Sequence, residues 1–170
     1  MTVIPIAKDL FTKEAAFELY EEVINKGLAV NVLVNDAGQG LYGKFIDTDI
    51  LRELDIIQLN INIYVILTKL FLRDMVRDDN GKILNVASIA GKVPGPIRSV
   101  YHGTRAFVHS FTEAIRAELS ETDVTITSLL LGATDTDFFN KAEMQNSKVL
   151  DGELADPAKV ARDGFDALML

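Results

Sequence analysis

Apolar and polar residues along this chain follow two rhythms. Four short runs are apolar and rich in β-branched residues: residues 2–7 (TVIPIA), 29–34 (AVNVLV), 82–87 (KILNVA) and 124–131 (VTITSLLL). Such runs predict strands, and a nearly continuous one like 29–34 predicts a strand covered on both faces. Pro5 cannot donate to a ladder, which assigns the first run to an edge. Between the runs the apolar positions recur at helical spacing. Residues 12–26 put Ala16, Phe17, Tyr20, Val23 and Ile24 on one face, with Thr12 as the cap and Gly27 as the stop. A long helix is predicted from Asp47 or Thr48 to Arg77, with room for a break, and Asn80-Gly81 ends it. Residues 99–119 group Ala106, Phe107, Ser110, Phe111, Ala114 and Ala117 on one side. Asp156 caps a last helix with Pro157 at its first position.

Strands and helices therefore alternate without an internal repeat or a linker. That order predicts an α/β protein, one Rossmann-like domain over residues 1–170, with helices on both faces of a parallel sheet. Ligands of such sheets bind beyond the carboxyl ends of the strands. The loops that follow Val34, Ala87 and Leu131 are the ones to examine.

The first of these loops contains a dinucleotide-binding pattern, G-x-G-x-x-G, at Gly38, Gly40 and Gly43. In the true fingerprint the third glycine opens a helix whose N-terminus meets the phosphate. Here Lys44, Phe45 and Ile46 follow Gly43 before any cap signal, and one βα unit already precedes the strand. Asp55 is too close to serve as the ribose-binding acid. The pattern fails its local test.

Composition narrows the chemistry further. The net charge is −8 and the pI about 4.7, without a Lys/Arg cluster, which argues against a nucleic-acid partner. The chain has no cysteine, so disulfides, thiolate metal sites and cysteine nucleophiles are excluded. No signal peptide is visible. The longest apolar stretch, residues 56–72, includes Gln58, Asn60, Asn62 and Lys69, and reads as a buried helix rather than a membrane span. A cytoplasmic protein is expected. His102 and His109 lie seven apart without ligand partners, so no metal is expected.

Taken in order, the loops carry a resemblance. Residues 35–38 read NDAG, Leu59-Asn60 lies in the long helix, Ser88 follows the third run in NVASIAG, Tyr101 comes thirteen residues later in YHGTR, and LGATDT follows the last run. This set resembles the short-chain dehydrogenase/reductase family over essentially the whole chain, entering at the family's third strand. The resemblance implies an NAD(P)-dependent oxidoreductase that moves hydride between a nicotinamide and a carbonyl or alcohol, the choice of NAD or NADP being left open. It implies that Tyr101 is the general acid/base, that Ser88 orients the substrate carbonyl, that Asn60 holds an active-site water, and that Arg105 stands where the family has a lysine. On the cofactor side it implies Asp9 at the adenine, Asn35, Ala37 and Gly38 beside the cofactor, Tyr101 and Arg105 near the ribose, and Gly132 and Thr136 beside the nicotinamide. It also implies a homo-oligomer built through helices 48–77 and 99–119, with Tyr64, Leu70 and Phe71 as interface residues.

The chemistry explains the types. A phenol ordinarily ionises near pH 10, and a neighbouring cation favours its phenolate. Residues four apart share a helical face. Arg105 keeps the charge of the family's lysine without its compact, titratable ammonium. Leu131 replaces the family's proline, and Asn62 and Ile63 are bulkier than its usual small residue. The family's first two βα units and their glycine-rich phosphate loop are missing, which predicts a gap in the sheet. An alternative reading is therefore a truncated, non-catalytic homologue that acts as an association module.

Overall fold

The computed structural model describes residues 2–145 and 147–170. Its frame is a three-stranded parallel sheet in the order β1 (Val32–Asn35), β2 (Gly81–Ser88) and β3 (Val124–Leu131). The register runs from Val32 opposite Lys82 to Asn35 opposite Asn85, and from Gly81 opposite Val124 to Ser88 opposite Leu131. Helices α1 (Ala15–Asn25), α3 (Ile63–Arg77) and α4 (Ser99–Glu118) form one layer, and α6 (Pro157–Met169) packs on the other face of β2 and β3. The expected Rossmann-like architecture is present.

The main core lies between the sheet and the helical layer. Ala16 and Val23 of α1 meet Ile63, Leu67, Phe71 and Met75 of α3 over Ile83, Val124 and Ile126. Helix α1 stops as predicted at Gly27, whose φ of +67° suits glycine. Leu28 N–H bonds Val23 O and Gly27 N–H bonds Ile24 O, so the last carbonyls are satisfied. Asp156 caps α6 by accepting from Ala158 N, with Pro157 in the first position. The Ile50–Arg77 segment is long and apolar enough by composition to cross a membrane, and half of that apolar stretch is buried against the fold.

Four expectations are corrected. Residues 2–7 form no strand: a strand exists through its neighbour, β1 pairs only with β2, and Val3 and Ile4 stay exposed. The first helix begins at Ala15 rather than Thr12, because a tighter turn competes for the same groups: Asp9 Oδ1 accepts from Phe11 N, and the Thr12 hydroxyl donates to Asp9 O. Strand β1 starts at Val32 and is not covered on both faces; Val32 and Val34 are 45% and 50% exposed because α6 lies over β2 and β3. Tyr64 and Phe71 are core residues at 0% and 4% exposure, so neither is available to an interface.

A chain of buried amides and hydroxyls ties the sheet to its helices. Asn35 Nδ2 donates to Thr68 Oγ1 (3.1 Å) and Asn85 Oδ1 (2.9 Å), Asn85 Nδ2 donates to Thr112 Oγ1 (3.0 Å), and Thr112 donates to Val108 O (2.7 Å). An alanine at position 85 strands an Asn35 donor in the interior. We expect Asn85→Ala to cost about 1–3 kcal/mol in urea unfolding, and the exposed Asn140→Ala to change stability by less than about 0.5 kcal/mol.

Candidate active site

The carboxyl ends of the three strands bring most of the singled-out residues together. Helix α2 (Ile50–Ile57) is capped by Asp49, passes through one π-helical turn, Gln58–Asn62, and continues as α3. Such turns occur where a helix must re-aim a side chain. This one carries Asn60 into the interior at 0% exposure. Asn60 Oδ1 accepts from Gln39 N (3.0 Å), and Nδ2 donates to Gln39 O (2.8 Å) and to Thr104 Oγ1 (2.9 Å). Thr104 in turn donates to Tyr101 O at 2.8 Å. Asn60 therefore fastens the glycine loop to the helical turn that presents Tyr101.

The glycines of that loop are explained by packing. A Cβ on Gly38 would lie 1.9 Å from Arg105 Nη2, and one on Gly40 would lie 3.1 Å from the Phe138 ring and 3.2 Å from that of Tyr101. A Cβ on Gly43 would lie 2.8 Å from the Thr48 methyl, and Gly43 N bonds Ile97 O. The loop is folded onto α4, seven residues short of the next helix, and does not open a helix as a phosphate loop would.

Arg105 is 5% exposed. Its Nη1 donates to Val86 O (3.0 Å) and reaches the Tyr64 hydroxyl (3.5 Å), and its Nε has no partner. The guanidinium carbon lies 5.4 Å from the centre of the Tyr101 ring, within cation–π range. Burial opposes the charge, the Tyr64 and Tyr101 phenols favour it, and the balance holds Arg105 above the ordinary arginine value. Burial likewise pushes the Tyr64 phenol up, with Arg105 acting against that.

Ser88 closes β2. Its Oγ accepts from Ala90 N (3.1 Å) and donates to Leu131 O (3.2 Å), spanning the ends of β2 and β3. Gly132 follows, its carbonyl accepting from Thr134. Thr136 is exposed and accepts from Phe138 N at the start of α5 (Phe138–Lys141). Phe138 packs on Tyr101 with ring centroids 5.2 Å apart. Ala37 and Gly38 follow β1 in the loop over Arg105, whereas the Asn35 side chain belongs to the core network. Asp9 is exposed, and its carboxylate is engaged in the turn before α1. His102 Nδ1 bonds Val93 O and His109 Nδ1 bonds Ser128 Oγ. No cluster of three metal-ligating side chains occurs among the described residues.

Sequence reasoning missed four members of the site: Gly40, Tyr64, Thr104 and Phe138. Spacing could have found two of them. Tyr64 lies four residues after Asn60, and Thr104 three after Tyr101, so each shares a helical face with a predicted residue. Nothing in the sequence joins Phe138 to Tyr101.

The model of the short chain dehydrogenase family matches residues 1–147 of this chain. Dehydrogenase/reductase SDR family member 7B of Mus musculus is 32% identical over 145 residues, 82% of this chain and 45% of that protein. An uncharacterized oxidoreductase of Staphylococcus epidermidis is 27% identical over 148 residues, 87% of this chain. The match spans 64% of that relative's length. In architecture the chain is similar to the closed form of serine dehydrogenase complexed with NADP+, with a TM-score of 0.84 and 25% identity over 96% of this chain and 68% of that one.

The close approach of Gly38 to Arg105 generates a paired expectation. Gly38→Ala forces the buried guanidinium aside and should cost about 1–3 kcal/mol. Gly103→Ala meets nothing within 4 Å and lies inside α4. It should add about 0.5–1 kcal/mol. Thermal unfolding of both variants, shifting in opposite directions, checks the pair.

Proposed function

The chain belongs to the short-chain dehydrogenase family, and from that premise we propose that it serves hydride transfer between a nicotinamide cofactor, NAD or NADP, and a small carbonyl or alcohol, with Tyr101 as general acid/base. The observation that carries this reading is the approach of the Tyr101 ring to the Arg105 guanidinium at the carboxyl ends of the strands, where ligands of such sheets bind.

A bound nicotinamide supplies or accepts the hydride; the chain's own part is the proton. Hydride addition to a carbonyl carbon leaves negative charge on its oxygen, which Tyr101 relieves by donating its phenolic proton. Arg105 stays charged, and its position against the ring stabilises the negative charge left there. Ser88 is the proposed second donor to the substrate oxygen, its hydroxyl turning from Leu131 O. Asn60 acts as a positioning residue through Thr104, holding the first turn of α4. Gly132 and Thr136 are proposed to border the nicotinamide.

The residues present fit the nicotinamide end of such a cofactor and not its pyrophosphate. Among the described residues no glycine-rich turn runs from a strand directly into a helix: after β1 the chain takes residues 36–49 to reach α2. No step is derived through the phosphates, and an adenine contact at Asp9 is a proposal from the family alone. The proposed assembly partner is a second copy, met through α2 and α4. The exposed apolar residues there are Ile50, Leu51 and Leu54 on α2 and Phe107 on α4.

Turnover of a panel of ketones with NADH and NADPH tests the proposal. Tyr101→Phe should lower the rate at pH 7 by at least about 100-fold, with the circular dichroism spectrum unchanged. A Phe variant as active as the parent contradicts the assignment. Light scattering over a dilution series should show species larger than 18.7 kDa, and Leu54→Glu should reduce them.

A further inference from the structure

Phe138 stands where a substrate would have to approach Tyr101. Its ring lies 5.2 Å from the Tyr101 ring centre at an interplanar angle of 46°, and its tip lies 3.1 Å from where a Cβ on Gly40 would be. Arg105 also lies against the ring, so Phe138 and the guanidinium together enclose the phenol.

The way Phe138 is held differs from the way its neighbour is held. Phe139 is buried at 9% exposure in an apolar cluster with Ala142 and Met144, and this cluster anchors α5. Phe138 is only half-buried. Helix α5 has four residues, too few to be stable by itself, and its start is held by one long bond from Phe138 N to Thr136 Oγ1 (3.3 Å). The Phe138 side chain can leave while Phe139 keeps the helix in place. The surroundings it would leave are apolar: Leu41 is buried, and Tyr42 packs on the α5 cluster. The space is flat, because Gly40 contributes no side chain and Tyr101 contributes a ring face.

We propose that Phe138 is a specificity-determining cap on Tyr101, displaced by a flat apolar group next to the substrate's reacting carbon, so that the site takes aryl ketones or aryl carbinols in preference to small aliphatic ones. This rests on the reading of Tyr101 as the proton donor. Displacement exchanges one ring–ring contact for another, so an aryl group offsets the loss of the Phe138 contact. A small alkyl group does not.

The test needs neither cofactor nor turnover, and its failure is therefore distinct from a failure of the hydride-transfer reading. The full chain is treated with tetranitromethane, which nitrates accessible tyrosines, and each tyrosine is followed by peptide mass spectrometry. Tyr20, hydrogen-bonded to Asp74 on the far side of the core, is the internal control for folding. Phe138→Ala should nitrate Tyr101 at least about five-fold faster than the parent, with Tyr20 unchanged. Acetophenone should then slow Tyr101 nitration in Phe138→Ala at a concentration where acetone has no effect. An unchanged Tyr101 rate in Phe138→Ala shows that Phe138 does not cap the phenol and overturns the proposal. Equal protection by acetophenone and acetone overturns the aryl preference. Should Tyr20 report that the alanine variant is unfolded, Phe138→Leu carries the same test. It keeps most of the apolar volume but not the ring, and an unchanged Tyr101 rate in it is equally contradictory.

Discussion

A guanidinium withdrawn from water, with no carboxylate beside it among the described residues, organises the carboxyl end of this sheet. Taking a charge out of water costs several kcal/mol unless it is well held. Arg105 is held by a strand carbonyl, Val86 O, by the Tyr64 hydroxyl and by the Tyr101 ring. Each of these partners fixes something else. Val86 orders the end of β2, Tyr64 fixes the turn that follows the π-helical segment, and Tyr101 is the residue assigned the chemistry. The loop above can close over Arg105 only because position 38 has no side chain. The backbone of Arg105 is just as crowded, since a Cβ on Gly91 would lie 2.6 Å from its carbonyl carbon.

Two polar systems with different tasks meet beneath this end. The Asn35–Asn85–Thr112 chain runs through the core and ties two strands to α3 and α4. The Asn60–Thr104–Tyr101 chain runs beside it and sets the distance between the glycine loop and α4. The first resists unfolding, and the second positions the phenol. Both lie in a region whose apolar core is supplied by α1, α3 and the sheet, so the site inherits its rigidity from the layer behind it.

Much of this was legible in the sequence. β3 and the starts of α4 and α6 lie where pattern and capping signals put them, because local signals there agree with tertiary demand. Thr12 misled because a hydroxyl that can cap a helix can also close a turn with Asp9. Residues 2–7 misled because apolar, β-branched composition expresses readiness to pair and says nothing of whether a neighbouring strand is there. The exposure of Val32 and Val34 has the same root. The G-x-G-x-x-G pattern was correctly set aside from local spacing, but the reason for each glycine needed three dimensions. Arg105, Tyr101 with Phe138, and Thr48 fill the places where their side chains would stand. The lysine-to-arginine change was visible as a change of charge geometry. That the guanidinium is buried beneath the loop was not, because burial belongs to the assembled fold.

The claim that the loop glycine and the buried cation are one unit is tested most directly by a double-mutant cycle on Gly38→Ala and Arg105→Ala, read by urea unfolding. Each single change should destabilise the chain. If the methyl added by Gly38→Ala is costly because of the guanidinium beneath it, that cost should vanish once Arg105 is removed. The double variant should then be no less stable than Arg105→Ala alone, a coupling of at least about 1 kcal/mol. Strictly additive losses would contradict the account.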